Sequence, residues 1–188
     1  MSMRNRRMDT EWKLLEALVD ANRSVFASIV RLQDEFRIAM RESPAWVSRE
    51  SGRQVETEHS LRYVYPRYYP SLPLEGYFVR PILHVNVDPV TGFVCLWRNY
   101  RPEQTIVDAL LITRAIMACK AANWDAAHRM QQDIFVDSAE YCALPMPPLT
   151  VPANCRPLLS HQTSRRRLST EFHDHAPQES NFAFSDTE

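Results

Sequence analysis

The chain has 188 residues, 45% of them hydrophobic, which suits one domain with a real core. A formal net charge of -1 gives no reason to expect nucleic acid or an anionic membrane as the main partner. No signal-peptide core or membrane-length apolar run is present, and four cysteines without CxxC spacing fit reduced thiols in a cytoplasmic setting, with no disulfide framework.

In chain order, residues 1–8 are basic and read as a frayed end. From Trp12 to about Met40, Leu14, Leu18, Ala21, Val25, Ser28, Leu32 and Phe36 recur at steps of four and three, which predicts one amphipathic helix capped by Asp9 or Thr10. Arg23, Arg31 and Arg37 fall on its polar face, and Ser43-Pro44 ends it. Ala45 to Ser48 reads as a short strand and Ser51-Gly52 as a turn. Val55 to Tyr65 reads as one longer strand with His59 at the surface, and Tyr77 to Val79 as the next. The expectation is a compressed antiparallel meander of about three to four strands.

Further on, Thr105-Ile106-Val107-Asp108 has the form of a capping box before a helix to about Ala122. Cys119 in that apolar run reads as a packing thiol. Ala127, Met130, Ile134, Ser138 and Tyr141 mark another helix, with Cys142 near its end. Prolines from Leu144 to Pro157 impose an extended path that either lies across the domain or meets a partner. His161 to Glu188 is poor in large apolar residues and is expected to be disordered, and His173 and His175 there lack further ligands for a metal. The domain organisation is therefore 1–8 as a basic end, 9–143 as the domain, 144–160 as a proline-rich segment and 161–188 as a tail.

The stretch from Tyr63 to Leu96 is the most informative. Tyr65-Pro66-Arg67-Tyr68-Tyr69-Pro70-Ser71-Leu72-Pro73 is followed by His84-Val85-Asn86, a turn at Gly92 and the pair Cys95-Leu96. Pro102, Thr105-Ile106 and Leu110-Leu111 follow downstream. This ordered set resembles the core of ubiquitin-conjugating enzymes. It resembles divergent bacterial members of the kind encoded in Bil-type antiviral operons beside an activating enzyme, a ubiquitin-like protein and a deconjugating peptidase. Val85 departs from the proline of the His-Pro-Asn signature, the loop from His84 to Cys95 is one residue longer than usual, and Tyr100 stands for a tryptophan.

The resemblance implies an α+β, UBC-like fold: an N-terminal helix, an antiparallel meander, a cysteine loop and C-terminal helices. It implies that Cys95 accepts a ubiquitin-like protein from the activating enzyme as a thioester and passes it to an amine of a target protein, with no cofactor. ATP chemistry would belong to a separate chain, since no phosphate-binding Gly-rich loop occurs here. Asn86 would steady the tetrahedral oxyanion with an amide that does not titrate. His84 and Asp88 would order the loop. Asp125 sits where the family places an acid that orients an incoming lysine, although helix capping by Asn123 or Asp125 also accounts for it. Arg23 and Arg31 would dock the activating enzyme or form a solvated face. Two other readings are a non-catalytic adaptor of the same fold, and an unrelated cysteine hydrolase pairing Cys95 with His84 or His128.

Overall fold

The computed structural model describes residues 2–123, 128–131 and 143–155. Helix α1 (Met3–Asp20) starts at Ser2, whose hydroxyl accepts the Asn5 N–H, so the basic end is ordered and the cap lies ahead of Asp9 and Thr10. Arg4 and Arg7 secure it. Arg4 donates to the carbonyls of Tyr65 and Pro66, and Arg7 to those of Glu103 and Gln104.

The single helix expected to run to Met40 is corrected. Asn22 ends α1 by donating its side-chain amide to the Leu18 carbonyl at 2.7 Å, while its own carbonyl accepts from Val25 and Phe26. Two strands follow, β1 (Phe26–Arg31) and β2 (Glu35–Met40), paired as an antiparallel hairpin. In β2 the buried side chains are Phe36, Ile38 and Met40, a period of two. The spacing of four and three across this stretch was coincidental. Arg23 therefore lies in the turn after α1, ion-paired with Asp20, and Arg31 lies on β1, paired with Asp9. They share no helical face.

Because α1 stops at Asp20, the chain has room for more strands than expected. β3 (Ala45–Arg49) and β4 (Gly52–Glu56) form a separate hairpin around the Ser51-Gly52 turn. β5 (His59–Val64), β6 (Glu75–Phe78) and β7 (Phe93–Val94) extend the main antiparallel sheet, whose order is β1-β2-β5-β6-β7. The predicted strand from Val55 to Tyr65 is thus two strands in different sheets. His59 is not at the surface: it is buried edge-on against Phe78, bonded to the Glu56 carbonyl, and burial lowers its pKa.

Helix α2 (Ile106–Met117) packs on the core side of the sheet, and its capping box between Thr105 and Asp108 is present as expected. It ends before Ala122, because Cys119 takes a φ of 55° just past the cap. The Cys119 thiol is half-buried. Tyr63 of β5 meets Thr113 of α2 at 2.7 Å through their hydroxyls.

Glu11 joins α1 to α2. Its buried carboxylate accepts from Arg7, Tyr65, Tyr69 and the Ile106 N–H, the first of α2. The proline-rich stretch 143–155 lies across the domain. Thr150 exchanges two hydrogen bonds with the Asn22 side chain, Arg114 donates to the Pro147 carbonyl, and Met146, Leu149 and Val151 pack on the core. The helix expected between Ala127 and Tyr141 falls mostly outside the described residues, as do Asp125, Cys142, His173 and His175.

Candidate active site around Cys95

Sequence order alone separates Asn86 from Cys95; a hairpin brings them together. The Cys95 N–H donates to the Asn86 carbonyl at 2.9 Å, Val87 and Val94 form a bridge, and Asp88 N–H donates to the Phe93 carbonyl at 2.8 Å. At the tip, the Asp88 carboxylate accepts from the N–H groups of Val90 and Thr91 and from the Thr91 hydroxyl, which holds its pKa down. Gly92 closes the turn with a φ of 74°, and a Cβ there would stand 2.1 Å from the Phe78 carbonyl oxygen. Only glycine fits.

His84 lies under this hairpin, 1% exposed. Its Nδ1 accepts the Asn86 N–H at 3.1 Å, and the ring also bonds the Ala121 backbone. Burial pushes its pKa down to about 4, so the ring is neutral at physiological pH. The neutral ring ties the loop to the main chain at Asn86 and Ala121.

The Asn86 side chain does not point an amide hydrogen at the thiol. Nδ2 donates to the carbonyls of Asn123 (2.8 Å) and His128 (3.0 Å), and Oδ1 accepts the Asn123 N–H at 2.7 Å. Both amide hydrogens are thereby engaged by main-chain carbonyls in this arrangement. Asn86 instead clamps the chain after α2 against the cysteine loop. Three further hydrogen bonds complete that clamp: Met130 N–H donates to the Val85 carbonyl, and the Gln131 amide donates to the carbonyls of Ile82 and Val87.

The clamp delivers a histidine. His128 Nδ1 stands 2.9 Å from Cys95 Sγ. The thiol is half-buried beside an open groove of about 310 Å³ lined by Asn86, Leu96, Arg98, Ile112, Ile116 and Asn123. Burial raises the thiol pKa. His128 entered the sequence reading only as a partner for a hydrolase, and Asn123 and Gln131 had no such place. No local motif marks them, because the contacts span more than thirty residues. Arg23 and Arg31 are not among the groove residues.

The resemblance of this chain to known proteins is one of structure. No family model and no curated protein matches it. Solved structures do. A protein assigned as a ubiquitin conjugating enzyme from Trypanosoma cruzi matches with a TM-score of 0.52 and 20% identity, over 66% of this chain and 83% of that one. The fold is UBC-like. One from Plasmodium yoelii (24% identity, TM-score 0.43, 59% of this chain and 71% of that one) matches less closely. So does human ubiquitin-conjugating enzyme E2 G1 (18%, 0.44, 63% and 98%). The Trypanosoma cruzi likeness carries the architecture: N-terminal helix, antiparallel sheet, later helix. Among the described residues no helix is long and apolar enough to cross a membrane, and no three His, Cys, Asp or Glu side chains are grouped to hold a metal ion.

Proposed function

We propose that this chain is a conjugating transferase that carries a ubiquitin-like protein as a thioester on Cys95 and passes it to an amine of a target protein. The supporting observation is the half-buried Cys95 at the end of β7 on a UBC-like fold, beside an open groove next to the His84–Asn86 loop. An open groove suits a carrier, which must receive a flexible acyl terminus from one protein and present it to another. The donor would be a separate ATP-dependent activating enzyme, and the setting a bacterial antiviral operon of the kind the sequence resembles. In the reaction each transfer passes through a tetrahedral oxyanion, formed when a nucleophile adds to the acyl carbon. His84 holds the loop, Asp88 its tip, and Asn86 the segment that carries His128.

Incubation with the activating enzyme, ATP and the ubiquitin-like protein of the same operon should give an adduct removed by reducing agent. Cys95→Ser should give a reductant-resistant oxyester, and Cys119→Ser should charge like the wild type. An adduct that survives Cys95→Ala would place the chemistry elsewhere. Binding without any adduct would make the chain a non-catalytic adaptor.

A further inference from the structure

We propose that His128 is a catalytic residue: it takes the proton of the Cys95 thiol, and the two side chains act as a dyad. The inference deepens the thioester-carrier reading and rests on it for the identity of the electrophile. Its basis is geometric. His128 Nδ1 lies 2.9 Å from Sγ, within reach of the thiol proton. The ring is held there by its backbone: the His128 carbonyl accepts from Asn86, and Met130 and Gln131 just beyond are tied to Val85, Ile82 and Val87. Fixing a base on a clamped segment is what positions it for proton transfer.

The thiol needs such a partner. Burial raises its pKa, so an unaided Cys95 stays largely as the thiol at neutral pH. The charged residue lining the groove among the described residues is Arg98, a cation, which would favour a thiolate but cannot accept the thiol proton. On charging, the Sγ–H bond breaks, the electron pair stays on sulfur and the proton moves to Nδ1. The thiolate then adds to the acyl carbon of the incoming thioester. Collapse of the oxyanion expels the donor's thiolate, which receives the proton from His128. On discharge, the attacking amine forms the C–N bond, loses a proton to neutral His128 and expels Cys95 as the thiolate.

The test is alkylation of Cys95 by iodoacetamide across pH, read by peptide mass mapping, with Cys119 as internal reference. The full chain should alkylate with an inflection below that of an isolated thiol. His128→Gln should react about ten- to hundredfold more slowly at pH 7, with the inflection moved up to that of an isolated thiol. The same rate and profile in His128→Gln would overturn the dyad. If that variant is unstable, the wild type and Cys95→Ser are compared by NMR titration of the His128 ring: a changed titration is expected, and an unchanged one overturns the proposal. Neither experiment uses an activating enzyme or a ubiquitin-like protein. A failed dyad therefore leaves the carrier reading standing, and a failed charging assay leaves the dyad standing.

Discussion

The side-chain amide of Asn86 donates to the main-chain carbonyl of His128 at 3.0 Å, and the His128 ring in turn meets Cys95 Sγ at 2.9 Å. Asn86 thus reaches the thiol through another residue. Asn86→Ala removes three hydrogen bonds and leaves the groups at Asn123 and His128 without that partner, a cost of about 1–3 kcal/mol for an orphaned buried group. The expected outcome is lower stability in urea together with slower Cys95 alkylation at pH 7. Unchanged alkylation in a destabilised Asn86→Ala protein would separate the clamp from the chemistry.

His84 predicts an acid-sensitive fold. Its pKa drops from 6.5 to about 4 on burial, so the unfolded chain takes up the proton first as pH falls. Its contribution is complete above pH 6.5 and lost as pH falls toward 4, on the order of 3 kcal/mol. His59 acts in the same direction, while Glu11, whose pKa burial raises, acts in the opposite one. Urea unfolding at pH 7 and pH 4.5 should therefore show a larger loss for the wild type than for His84→Gln. Equal losses would mean that His84 titrates normally in the folded protein.

Gly92→Ala should be among the most damaging small substitutions. The added methyl meets the Phe78 carbonyl at 2.1 Å on a residue already in the left-handed region. It would also disturb the Phe78 N–H to Gly92 carbonyl bond that ties the hairpin to β6. A loss of about 2–4 kcal/mol is expected in denaturant titration. A loss below about 1 kcal/mol would show that the hairpin tip relaxes freely.

Glu11→Ala tests the joint between the two helices. It strands Tyr65, Tyr69 and the first N–H of α2, and removes the partner of Arg7. The expected cost is about 3–5 kcal/mol, as for breaking a buried ion pair. Tyr65→Phe, which deletes one of the four donors, should cost about 1 kcal/mol. Similar costs for the two variants would mean that the carboxylate is dispensable and the tyrosine hydroxyls find other acceptors.

Local signals determined part of this protein from the sequence alone. The capping box at Thr105 and Asp108, the turn at Ser51-Gly52 and the ordered residues from Tyr65 to Cys95 depend on near neighbours, and they pointed to the UBC-like fold. The stretch from Ala21 to Met40 was misread because Leu, Val and Phe spaced by four and three satisfy a helix as well as they satisfy a turn and two strands. What decided between them was Asn22 folding back on Leu18, and the pairing of β2 with β5, where Ile38 faces Leu61. The site followed the same division. The closeness of Cys95 to the His84–Asn86 loop was legible because both lie within one hairpin. The direction of the Asn86 amide and the approach of His128 were not, because both depend on a chain segment that returns after α2 and is held by hydrogen bonds between residues distant in sequence.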